Sequence, residues 1–80
     1  MNTIGIDLKT GHFKRLSRAL WRLKSTYDVQ GPFLYGQDLS LCQMHLTTDK
    51  VEHEVDAWLY ATKHGADYVG TWTVRADVLE

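Results

Sequence analysis

Thr3-Ile4-Gly5-Ile6-Asp7-Leu8-Lys9-Thr10-Gly11-His12-Phe13-Lys14-Arg15-Leu16-Ser17-Arg18-Ala19-Leu20-Trp21-Arg22-Leu23 is the stretch on which the fold turns. Its apolar period changes from two to about 3.6 partway along. From Thr3 to Leu8, Ile4, Ile6 and Leu8 alternate with Thr3, Gly5 and Asp7, which predicts a strand with one buried face. Lys9-Thr10-Gly11 reads as a turn, with Thr10 placed to cap the next element. From His12 to about Tyr27, the residues Phe13, Leu16, Ala19, Leu20, Leu23 and Tyr27 share one helical face.

The rest of the chain extends this alternation. Gly31-Pro32 ends any helix before it. Phe33-Leu34-Tyr35 is a short extended run, and Gly36-Gln37-Asp38 reads as a hairpin loop. Leu39 to Leu46 is a further strand whose inward parity is open, since Cys42, Met44 and Leu46 compete with Leu39 and Leu41. A second helix starts at Thr47-Thr48-Asp49, where Asp49 and Glu52 have capping-box spacing and Thr48 is the rival cap. Its apolar stripe is Val51, Val55, Trp58, Leu59 and Thr62, and Gly65 is placed to end it. Ala66 to Arg75 is rich in aromatic and β-branched residues and predicts a last strand, followed by a tail to Glu80. The order β-α-β-β-α-β predicts an α+β, ferredoxin-like domain. Two helices would cover one face of a four-stranded antiparallel sheet.

With 80 residues, the chain is expected to form one domain across positions 1–80. Hydrophobic residues make up 44% and charged residues 24%, which suits a folded domain and not a disordered segment. The formal charge of −1 excludes a polybasic chain. No apolar run approaches the roughly 20 residues of a membrane span. The start, Met1-Asn2-Thr3-Ile4-Gly5, lacks a basic n-region and apolar h-region. The single cysteine, Cys42, excludes an intramolecular disulfide and a multi-cysteine zinc site. A reducing, cytoplasmic setting without cofactor, metal or membrane partner is the expectation.

The charges are unevenly placed. Residues 9–24 hold Lys9, Lys14, Arg15, Arg18, Arg22 and Lys24 and no acid, whereas residues 28–80 hold nine acids and three bases. On the first helix Lys14, Arg15, Arg18 and Arg22 fall within about a 100° arc, with Trp21 beside them and away from the apolar stripe. Such a face suits an acidic protein surface, where Trp and Arg are favoured anchors. It also suits phosphates and stacked bases, or it is a solvated face partly paired with the acidic second helix.

Other chemistry is sparse. On the second helix Asp49 and His53, Glu52 and Asp56, and Asp56 and Tyr60 are each four apart, yet a pair alone is not a metal site. His53 and His64 are about 16 Å apart along a helix, too far to share one ion. Cys42 and His45, three apart on a strand, face opposite sides, which makes Cys42 a core residue. His12 at the helix start could touch an anion.

Three resemblances bear on function. Ile4-Gly5-Ile6-Asp7-Leu8-Lys9-Thr10-Gly11 resembles the strand and turn that open actin-like and chaperone ATPases and some RNase H-like nucleases. Lys9 stands where the ATPases have Gly, and 80 residues are too few for either fold. Thr10-Gly11-His12-Phe13-Lys14-Arg15 resembles the phosphate-cradling loop of acylphosphatases, which would give Arg15 a phosphate role. The water-orienting Asn of that family has no counterpart except the terminal Asn2. RNA-recognition modules resemble the chain in topology only. They stack bases on aromatics of the two central strands, whereas Thr3, Gly5 and Asp7 carry none, nor does the Leu39–Leu46 strand.

These readings converge on a non-enzymatic protein that works by stoichiometric binding through Lys14, Arg15, Arg18, Trp21 and Arg22. The partner would be a larger protein or ribonucleoprotein complex. In size and character the chain resembles phage and mobile-element inhibitors of host defence complexes, including anti-CRISPR proteins. A nucleic-acid-binding regulator using the same helix is the alternative. A small metal- or phosphate-dependent enzyme using Asp7, Asp49 or His53 is the third. The uncovered sheet face is expected to keep an apolar excess, from Leu39, Leu41 and Val69 or from Tyr68 and Trp72, and to serve a homodimer or a partner.

Overall fold

A computed structural model describes residues 2–34 and 40–76. The expected loop at Gly36-Gln37-Asp38, with Tyr35 and Leu39, and the tail from residue 77 lie outside the described residues. The elements are β1 (Asn2–Thr10), α1 (Phe13–Leu23), β2 (Asp28–Leu34), β3 (Leu41–Thr48), α2 (Val51–Thr62) and β4 (Ala66–Ala76). The strands form one four-stranded sheet in the order β2-β3-β1-β4, and every neighbouring pair is antiparallel. The chain is thus α+β with the expected element order.

The core lies between one sheet face and both helices. In the β1–β3 register Ile4 faces Leu46, Ile6 faces Met44 and Leu8 faces Cys42, so six apolar side chains share one face. That settles the parity of β3. Leu16, Leu20 and Leu23 of α1, Ala57 and Ala61 of α2, Val29 of β2 and Ala66 of β4 complete the buried cluster. Phe13 and Tyr27 pack at its margin. The α1 stripe therefore falls as expected, except that the helix ends at Leu23 and Tyr27 reaches the core from the turn beyond it.

Four expectations are corrected. The first concerns α2, whose inward residues are Ala57 and Ala61, while Val51, Val55 and Leu59 of the expected stripe are exposed. The helix is rotated by roughly a third of a turn from the expected phase. Small residues face the sheet, and the large side chains Trp58 and Tyr60 close the flanks. The second concerns β2, which begins at Asp28 and runs through Gly31-Pro32, whose peptide bond is cis. An edge strand tolerates a proline because its outer N–H has no ladder partner. Gly31 has φ +113°, and a Cβ there would lie 2.9 Å from the Gln43 carbonyl oxygen, so the irregularity in the β2–β3 register needs glycine.

The third correction is at the helix starts. Neither Asp49 nor Thr48 is the N-cap of α2; that residue is Lys50, with no side-chain cap. The buried hydroxyl of Thr48 accepts the Lys50 N–H at 3.1 Å. Thr10 does the same at the other βα junction, accepting the His12 N–H at 2.9 Å and donating to the Gly65 carbonyl at 2.7 Å. Each strand thus ends on a buried threonine that holds the adjoining turn.

The fourth correction is in β4. Its pairing with β1 shifts between Asp7 and Leu8 and between Thr3 and Ile4, leaving Val69 and Val74 as extra residues. One extra residue inverts the alternation. Tyr68, opposite Leu8, therefore lies on the helix side and stacks on Trp58 with centroids 4.6 Å apart. Trp72, opposite Gly5, lies on the uncovered side.

Candidate functional site

α1 carries no acid in its first turn and Arg22 in its last. Lys14, Arg15, Arg18, Trp21 and Arg22 lie along its outer side, and Trp21 is 72% exposed, so its indole contributes nothing to the core. Lys24 Nζ stands 5.2 Å from the Trp21 ring, a cation–π contact at the solvent boundary. The cations are free of carboxylates: among the described residues no ion pair joins them to α2. The expected partial pairing between helices is therefore absent there. Asp56 instead accepts the Tyr27 hydroxyl at 3.1 Å.

The basic face divides into two clefts that share Arg18 and Arg22. One, of about 410 Å³, is lined by Ser17, Arg18, Trp21 and Arg22. The other, of about 220 Å³, lies between α1 and the α2–β4 turn and is lined by Arg15, Arg18, Ala19, Arg22 and His64. Arg15 leans toward the α2–β4 turn, its Nη1 3.7 Å from where a Cβ on Gly65 would sit. His64 Nδ1 lies 2.8 Å from the Tyr60 carbonyl, which can only accept, so Nδ1 carries the proton and Nε2 is the remaining nitrogen. Sequence reasoning missed His64 as a neighbour of the arginines because it is more than 40 positions away; a histidine in the turn that follows α2 is the available signal.

The other candidate residues do not converge. Asp7 lies on the uncovered sheet face, while Asp49 is in the turn before α2. His53 is taken up locally, with Nδ1 3.2 Å from the Thr48 hydroxyl and its ring edge-on to Tyr27 at 5.0 Å. Among the described residues no three His, Cys, Asp or Glu side chains form a metal-binding group. Cys42 is buried, and burial, followed by the Asp7 charge, pushes its thiol up to about 11. A thiol so shifted is protonated near neutrality and is not a nucleophile. His12 is the exposed N-cap of α1.

The uncovered sheet face keeps apolar groups, Leu41 of the one expected set and Trp72 of the other, together with Phe33, and sets polar groups among them. Thr3, Asp7, Gln43, His45 and Thr47 are half-buried on it. Three rings cross the strands in a row, with Phe33 and His45 centroids 5.1 Å apart and His45 and Trp72 6.0 Å apart. Trp72 occupies the space above Gly5, where a Cβ would overlap Cε2 of the indole. Its Nε1–H donates to Asp7 Oδ1 at 3.0 Å. An aromatic ring thus covers the central strand although β1 supplies none.

No helix is long and apolar enough to cross a membrane among the described residues. Comparison of the chain with protein-family models, with curated proteins and with solved structures finds no match.

Proposed function

We propose that the chain is a ferredoxin-like binding protein without catalytic activity, which docks α1 on an acidic surface of a larger protein or ribonucleoprotein. The observation that carries this reading is Trp21. It is 72% exposed and flanked by Arg18 and Arg22, which have no carboxylate partner among the described residues. A large ring held in water beside unpaired guanidinium groups is the composition of an interface anchor. Lys14 and Arg15 extend the positive field and steer encounter with an acidic partner. Occlusion of a functional site on that partner would make the protein an inhibitor of the kind directed against host defence complexes.

The test is affinity capture from host lysate, with and without nuclease, using the wild type and Trp21→Ala. A stoichiometric protein that survives nuclease and is lost with Trp21→Ala supports the reading. Retention of that protein by Trp21→Ala defeats it.

A second reading rests on the cleft between α1 and the α2–β4 turn. Arg15, Arg18 and Arg22 meet His64 there, a donor set suited to a phosphate. Nucleic acid bound this way loses affinity steeply as salt rises, because phosphate contacts release counterions. Docking anchored by Trp21 loses less.

A further inference from the structure

The uncovered sheet face lies across the sheet from α1 and has a chemistry of its own. We propose that the corner formed by Asp7 and Trp72 binds the guanidinium group of an arginine on a partner polypeptide.

The corner is built before any ligand arrives. The Trp72 indole rests on Gly5, is held at its edge by Asp7, and meets His45 edge-on. At 40% exposure its outer surface remains open. Asp7 receives one hydrogen bond, from Trp72, and among the described side chains, which do not include that of residue 75, no cation pairs with it. A carboxylate has about four lone-pair sites, so most of its acceptor capacity is unused. Opposite Asp7 on β4 stands Gly70, and nothing lies within 4 Å of where its Cβ would be. The result is a cavity of about 390 Å³ bounded by Asp7, Gln43, Gly70, Thr71 and Trp72.

Charge selects the occupant. The register places Asp7, Asp28 and Asp67 on this face, with Lys9 opposite Asp67 and position 75, an arginine, opposite Thr3. The Asp7 carboxylate, hydrogen-bonded to the Trp72 indole, repels a phosphate brought to the ring row, which makes the row a poor platform for bases. It attracts a cation. Among cations, guanidinium combines a planar surface that stacks on indole with paired N–H donors that match a carboxylate. An ammonium group offers the charge without the plane. The Gln43 side-chain oxygen, 3.3 Å from His45 Nε2, adds a further acceptor at the rim.

The experiment is a titration of the ¹⁵N-labelled protein with a short peptide carrying a single arginine. A matched lysine peptide and a single-stranded oligonucleotide are run in parallel. The Trp72 indole N–H, assigned with Trp72→Phe, and the Gly70 amide report on the site. We expect saturable shifts of both signals with the arginine peptide and affinity several-fold weaker with lysine. Asp7→Asn keeps an acceptor for Trp72 and should weaken arginine binding about tenfold with unchanged thermal unfolding. Gly70→Leu places a side chain in the open space and should block binding with the carboxylate intact. Absence of a shift at Trp72, undiminished binding by Asp7→Asn and Gly70→Leu, or a response to the oligonucleotide in place of arginine would each overturn the proposal.

Discussion

Trp72 lies across Gly5, and the indole fills the volume that any side chain at position 5 would need. A Cβ there would overlap the ring, well inside van der Waals contact. Gly5→Ala should therefore displace the indole and cost about 1–3 kcal/mol, the usual range for overpacking. The same substitution in a Trp72→Ala background should cost much less. Denaturant unfolding of the four proteins in this double-mutant cycle measures the coupling; additive effects would contradict it.

Thr10 joins two turns that are 55 positions apart by accepting from His12 and donating to Gly65. Thr10→Val keeps the shape and leaves the part-buried His12 N–H and Gly65 C=O without their partner. A loss of roughly 1–3 kcal/mol is expected in thermal or chemical unfolding. Thr10→Ser should retain most of the stability. Equal losses for both substitutions would place the effect in packing and not in the hydroxyl.

Trp21→Ala should leave stability within about 0.5 kcal/mol of wild type, since the ring is at the surface. Partner binding, where measured by capture or calorimetry, should fall by about 2 kcal/mol or more, as expected of an anchor residue. Unfolding of the variant would remove Trp21 from the surface role given to it.

The phase of α2 is tested by exchanging inner and outer positions. Ala57→Leu and Ala61→Leu enlarge fully buried positions and should each cost roughly 1–3 kcal/mol. Val51→Thr, at a position 71% exposed, should change stability by less than about 0.5 kcal/mol. Circular dichroism melts of the three variants suffice. The reverse ranking would restore the stripe expected from sequence.

Alkaline pH tests the environment of Cys42. Its thiol is raised from 9.0 to about 11, chiefly by burial. Below 9 both folded and unfolded chains hold the proton and the contribution to stability is complete. Between 9 and about 11 only the folded chain holds it, so stability falls as pH rises. The loss across that window is on the order of 2–3 kcal/mol. Tyr27, raised first by desolvation and then by Asp56, acts in the same direction at alkaline pH. Urea unfolding from about pH 8 to pH 11 should show a shallower decline for Cys42→Ala than for wild type.

Where sequence and structure agree, the period is unambiguous and burial is one-sided. Opposite Leu16, Leu20 and Leu23 stand Lys14, Arg15, Arg18 and Arg22, so α1 has only one way to face. The basic face of α1, with Trp21 outside it, comes from the same wheel. α2 has apolar residues around most of its circumference, and the aliphatic row Val51, Val55 and Leu59 outweighs two alanines when only the sequence is read. Tertiary packing decides for the alanines, because a helix close to a sheet needs small residues beneath it. In β4 strict alternation puts Tyr68 and Trp72 together, and a bulge at Val69, with no glycine or proline at that position to announce it, separates them. The Asp7–Trp72 corner is invisible in the sequence for that reason. His64 beside Arg15 is a meeting of distant segments that only the fold brings about.

The position of β1 in the middle of the sheet bears on how the chain acquires its structure. Its two neighbours are β3 and β4, which lie in the second half of the sequence. The strand made first therefore remains without either lateral partner until most of the chain exists, and its second side closes only when residues 66–76 arrive. Contacts so distant in sequence must bear the entropy of closing long loops before they contribute. Folding on the millisecond-to-second scale of non-local topologies is the consequence, with α1 the element able to form early from local contacts alone. Nascent chains stalled before β4 would present Ile4, Ile6 and Leu8 on an open strand edge, the condition in which a ribosome-associated chaperone finds a client.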